Sequence, residues 1–274
     1  MNYSKHFLFV ISISISLALH SCEYSDDTDK SINTPPTSIS NEIILRSINY
    51  FNTNPSDQFL VSMNHVVDGQ MYRGENATDP HPGAHVYFSN TDSSWPLNDI
   101  NTPENYPPIY AIADGYVNSI DTYYSVADNY RYGITLGIAK DNETTFLFHY
   151  SIEPFINPQD TSFYEPYIFV KQGDSVKKGD IIASMYLAPG SGSDAHIHFN
   201  LLASTNGPST FLAPIIFTDT IISEFTEKIS TENGGYRNFD YNKNQGHPWM
   251  GDCLGYKLVG SENPFGTGDK NCAK

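Results

Sequence analysis

Apolar positions in this chain fall into short runs separated by turn residues, the pattern of a chain built from strands. Ile109 to Thr122 carries apolar residues with an Asp-Gly break. Tyr132 to Lys140 and Thr144 to Tyr150 are two apolar runs joined by Lys140-Asp141-Asn142-Glu143, which reads as a hairpin. Tyr167 to Val170 and Asp180 to Leu187 predict two more strands, with the turn-rich stretch Gly173 to Asp180 between them. His196 to Leu202 closes the series. Asn41 to Phe51 is the best short helical candidate; no long amphipathic helical pattern and no internal repeat is evident. The fold class this predicts is mainly β, an antiparallel sheet or sandwich. Residues 204–274 change texture, Thr- and Ile-rich first and then rich in Gly, Asn and Asp, and read as a C-terminal extension packed on the main domain.

The N-terminus reads differently. Residues 1–21 hold one charged residue, Lys5, and an apolar run from Phe7 to Leu19 broken only by serines, the pattern of a targeting segment. Leu19-His20-Ser21-Cys22 looks like a lipobox, which predicts a lipoprotein signal peptide over 1–21 and lipidation of Cys22; the alternative is an ordinary signal followed by an incidental cysteine. Residues 22–41 are rich in Ser, Thr, Asp and Pro and predict a flexible tether, leaving 42–203 as the main domain. The chain is then exported and lipid-anchored to the cell envelope at the outer membrane, facing the periplasm or the surface. Its membrane contact is the lipid, since no second apolar run is long enough to span.

Charge and cysteine usage sharpen this. The net charge of −16 becomes −17 once Lys5 leaves with the signal, which argues against nucleic acid as a partner. Beyond Cys22 the only cysteines are Cys253 and Cys272. In an oxidising compartment that pair predicts one disulfide closing the C-terminal tail, worth about 3 kcal/mol through the restricted unfolded chain.

The candidate chemistry lies in the histidines. The chain has nine, of which five fall into three groups. In His196-Ile197-His198, alternate strand residues share a face with Cα atoms about 6.6 Å apart, so one imidazole can bind a metal while the other stands beside it. The bland reading is a solvated strand face. His81-Pro82-Gly83-Ala84-His85 has the spacing of a helix face, but Pro82 and Gly83 argue for an extended or looped segment in which Gly83 lets the backbone approach a metal closely. His149 stands near the end of an apolar strand, where a lone histidine is ordinarily structural.

Together these pieces resemble the lysostaphin-type (beta-lytic, LytM-like) zinc metallopeptidases, in order and over roughly residues 70–203. After His81 to His85 come Pro108-Ile109-Tyr110-Ala111-Ile112-Ala113-Asp114-Gly115-Tyr116-Val117 and Tyr132-Gly133-Ile134-Thr135-Leu136. Phe146-Leu147-Phe148-His149-Tyr150, the Gly/Val turn from Val170 to Ala183 and His196-Ile197-His198-Phe199 follow. The resemblance implies a small antiparallel β domain with a groove over Zn2+. It makes His81, His85 and His198 metal ligands. His149 and His196 become catalytic, one as base and one as stabiliser of charge on the scissile carbonyl. It implies an endopeptidase acting on the stem or cross-link peptides of peptidoglycan.

The sequence departs from the family at three places. His85 stands where the family has an aspartate ligand, which removes a negative charge from the metal or marks a catalytically inactive peptidoglycan-binding or hydrolase-activating module. Asn90 to Pro107, with Trp95, is an insertion, and Asn200 stands where the family often has Glu. The Gly/Val turn also resembles the hammerhead of lipoyl and biotinyl domains, but Lys177-Lys178 lacks the Met-Lys context of a modified lysine.

Overall fold

The computed structural model describes residues 44–70, 72, 83–88, 102–126, 129–188, 195–229 and 254–255. Cys22, His81, Trp95, Cys253 and Cys272 lie outside the described residues, as do the signal and the tether.

Among the described residues ten strands form two antiparallel sheets: β1 (Val66–Gln70), β2 (Ala84–Phe88), β3 (Pro108–Tyr110), β4 (Gly115–Val126), β5 (Asn129–Asp141), β6 (Thr144–Ile156), β7 (Ser175–Val176), β8 (Ile181–Ser184), β9 (His196–Ser204) and β10 (Thr210–Leu212). The main sheet runs β1-β2-β9-β6-β5-β4-β7, with β10 also on β9; β3 and β8 form the second. The chain is therefore mainly antiparallel β, as the alternation of its apolar positions predicts.

Alternation puts Ile197, Phe199 and Leu201 of β9, Phe148, Tyr150 and Ile152 of β6, and Ala84 and Val86 of β2 on one face, all fully buried. Phe59 packs edge-on against Phe199 at 5.8 Å and meets Phe217 and Phe225 at 5.3 Å, so aromatic rings seal this face. Burial of each large apolar side chain contributes about 1.5–3 kcal/mol. The Tyr150 hydroxyl donates to the Tyr110 carbonyl and accepts from the Ile112 N–H, both at 3.1 Å, tying the central strand to the second sheet. The opposite face is thereby free to carry polar groups on a rigid support.

The 170–183 stretch is two copies of one turn. Lys171 N donates to Asp174 Oδ2 and Lys177 N to Asp180 Oδ2, each at 2.7 Å, and Gly173 and Gly179 have φ of 89° and 88°. The left-handed conformation favours glycine at both places. Lys177 and Lys178 are ion-paired with Asp114 and Asp57 in these turns.

Two expected elements differ. Within the described part of the helix expected over Asn41 to Phe51, from Ile44 onward, there is instead a 3-10 turn at Ile48–Asn52, where the Ser47 side chain accepts from Asn49 N. Tyr167 to Val170 is a 3-10 turn, Glu165–Tyr167, followed by one bridge from Ile168 to Ala183. Residues beyond 204 contribute β10 and a ten-residue helix, α1 (Asp219–Lys228), which buries Ile221, Ile222 and Phe225. Among the described residues no helix is long and apolar enough to cross a membrane.

Candidate metal centre

Strand register assembles the polar face. β2 and β9 pair His85 with His198 and Tyr87 with His196. β6 flanks β9 on its other side, setting Glu153 opposite His196, Ser151 opposite His198 and His149 opposite Asn200. β5 then sets Gly133 opposite Ser151 and Thr135 opposite His149. Because side chains alternate, all of these project from the face opposite Phe148 and Phe199.

Three imidazoles converge there. His85 Nε2 lies 2.8 Å from His198 Nδ1, and His196 Nε2 lies 2.8 Å from His198 Nε2. All three residues are buried, and one ring nitrogen from each lies within 4.8 Å of the others, a spacing that can hold a metal ion. Neutral imidazole nitrogens are suitable donors for zinc and for other borderline divalent metals. The donor set fits such an ion in chemistry as well as spacing.

His85 and His198, expected as ligands, stand together. His196, expected as a catalytic partner, lies within the same donor group. Its ring is flanked by Tyr87 at 4.8 Å and Phe155 at 5.2 Å between centroids. Phe155 is 39% exposed and has φ of 59°, a left-handed conformation that is costly for a bulky residue. It is an apolar contact at the rim of the site. An added Cβ at Gly83 would lie 2.0 Å from Asn200 Oδ1, so the glycine also permits close approach to β9.

His149 stands one diagonal step from the imidazole cluster. Its Nδ1 hydrogen-bonds Thr135 Oγ1 at 2.8 Å, and its ring lies against the bare backbone of Gly133. Enclosure by protein atoms holds its pKa down at about 4, with the Arg131 charge lowering it further and Asp121 opposing. The ring is therefore neutral at pH 7 and able to accept a proton.

That depression makes a stability prediction. Between pH 6.5 and 4 the unfolded chain takes up a proton at His149 that the folded chain refuses, so stability falls as pH falls through this window. With allowance for the partly exposed ring edge, the loss is about 2 kcal/mol. Urea unfolding with chelator present, at pH 7 and pH 4.5, is expected to show that extra loss in wild type and not in His149→Gln. Equal losses in the two proteins would contradict the neutral, enclosed state of the ring.

Glu153 is the residue that sequence reasoning missed. Its Oε1 lies 3.1 Å from His198 Nε2 and its Oε2 3.5 Å from His196 Nε2. Arg131 pairs with the same carboxylate. Ser151 Oγ lies 3.2 Å from Glu153 Oε1, 2.9 Å from Arg131 Nη1 and 2.7 Å from the Tyr124 hydroxyl. Burial raises the Glu153 carboxyl above its usual range, against the lowering influence of Arg131 and Ser151. Extending the alternation His149, Ser151, Glu153 past Tyr150 would have exposed the residue as a neighbour of the histidine face.

Comparison with known proteins adds little. No family model matches the chain, and no curated protein matches it. Among solved structures, the NMR solution structure of lysostaphin is similar at 15% identity with a TM-score of 0.33. The match covers 69% of this chain and 61% of that chain. A likeness at this level assigns no function, so the reading of the site rests on its own geometry.

Proposed function

We propose that this chain is a zinc-dependent endopeptidase that hydrolyses stem or cross-link peptides of peptidoglycan. The observation that carries the reading is the convergence of His85, His196 and His198 on one buried sheet face, with neutral His149 beside them. The ordered motifs from His81 to Phe199, through their resemblance to the lysostaphin-type family, support the peptidase class and the substrate. The lipobox at Cys22 supports lipid anchoring in the cell envelope, next to the wall. His81 is a further ligand by the same motif and lies outside the described residues.

Zinc, when bound, supplies Lewis acidity toward a scissile carbonyl and activates water. The chain's residues do the rest. His149, held at Nδ1 by Thr135, accepts a proton from the attacking water and returns it to the leaving amine. Phe155 and Tyr87 flank His196 and fix its ring, and the exposed Phe155 gives an apolar contact to a bound peptide. The buried face limits water around the reacting groups.

Purified sacculi incubated with the full chain test the reading. Release of cross-link-cleaved muropeptides by wild type and not by His198→Ala is the expected result. Equal release by both would sink it. Binding to sacculi with no product from wild type would favour the inactive binding or activating module that His85, in place of a carboxylate, also fits.

A further inference from the structure

We propose that Glu153 is the carboxylate ligand of this centre, completing with His196 and His198 a donor set of two imidazoles and one carboxylate for a divalent metal. This rests on the reading of the histidine face as a metal site.

Position comes first. Glu153 stands directly opposite His196 across the β6–β9 ladder and on the same sheet face. Two separations join the donor atoms, 2.8 Å between His196 Nε2 and His198 Nε2 and 3.5 Å from His196 Nε2 to Oε2, while Oε1 of the same carboxylate stands 3.1 Å from His198 Nε2. Donors placed 2.0–2.1 Å from a tetrahedral zinc stand about 3.3 Å apart. The observed separations straddle that value.

The two carboxylate oxygens have different work. Oε1 accepts from Arg131 and Ser151. Oε2 makes no hydrogen bond among the described residues and faces His196, which leaves its lone pairs for a cation. Arg131 lies over the Tyr124 ring at 5.0 Å, and Ser151 links Arg131 to the Tyr124 hydroxyl. The carboxylate is thus held in place by a network reaching β4, as ligating carboxylates commonly are.

The two nitrogens of His198 divide in the same way. A ring presents one lone pair to one ion. Nε2 faces His196 and Glu153, while Nδ1 faces His85, which orients the ring from behind. Glu153 also supplies the negative charge that His85 lacks in the H-x-x-x-H segment.

The test uses the full chain stripped of metal by chelation. Zn2+ affinity is measured by competition with a chromophoric chelator, and the visible spectrum of the Co2+ protein reports the donor set. Glu153→Gln is expected to weaken Zn2+ binding by about tenfold or more and to shift the Co2+ bands, because an amide oxygen is a poor donor. Should that variant fail to fold, Arg131→Met/Glu153→Gln removes both buried charges and carries the same comparison. A variant Co2+ spectrum superimposable on wild type overturns the proposal, whatever the affinity. Wild type that binds neither Zn2+ nor Co2+ removes the metal-site reading itself.

Discussion

Replacing His198 with alanine is expected to abolish zinc binding at micromolar metal and to lower peptide hydrolysis by at least about a thousandfold. His198 stands at the centre of the cluster: it meets His196 and Glu153 through Nε2 and is held by His85 through Nδ1. Apparent zinc binding free energies of about 10–16 kcal/mol over four ligands make one ligand worth roughly 3 kcal/mol, more than a hundredfold in Kd. Loss of the residue at the centre of the set should exceed that. The fold should survive, because the face beneath is sealed by Phe148 and Phe199 and does not depend on the imidazole. His149→Ala provides the contrast. It is expected to retain zinc while losing activity, since His149 stands off the donor cluster. Elemental analysis and circular dichroism beside the sacculus assay separate the two kinds of loss. A zinc-replete His198→Ala would contradict the assignment.

Arg131→Met is expected to destabilise the metal-free fold by about 3 kcal/mol. The Arg131 and Glu153 side chains are only 12% and 14% exposed, so losing the guanidinium leaves a carboxylate in a poorly solvated place. It also removes a donor to Ser151 and the cation over the Tyr124 ring. Arg131→Met/Glu153→Gln is expected to recover at least half of the loss, because a neutral pair carries no buried charge. Urea unfolding of wild type, both single variants and the double variant closes the cycle. A double variant no more stable than Arg131→Met would mean that the penalty is one of packing and not of charge.

The strand framework was legible because its apolar positions alternate. The hairpin at Lys140 to Glu143 appears as a two-residue turn at Asn142-Glu143 between Asp141 and Thr144, with Asn142 at φ 51°. The His196 and His198 pairing on one face followed from a period of two. Two things were hidden. The apolar run read from Thr144 to Tyr150 is part of a longer strand: β6 continues through Pro154 to Ile156 and brings Ser151 and Glu153 under the imidazoles. No local rule shows that Glu153 meets His196, because the two residues are far apart in the chain and only the register of β6 and β9 makes the contact. Helix α1 was readable in principle. Thr218 caps it and Asp219 opens its first turn, while Ile221, Ile222 and Phe225 keep one face. Its shortness and its Thr- and Ile-rich surroundings masked the period.

The most direct test of the central claim is the zinc content of the purified full chain, by elemental analysis after reconstitution and removal of loosely held metal. About one zinc per chain is the result this account predicts. A chain that holds none would contradict it, and would leave the histidine face as a hydrogen-bonded cluster without a metal.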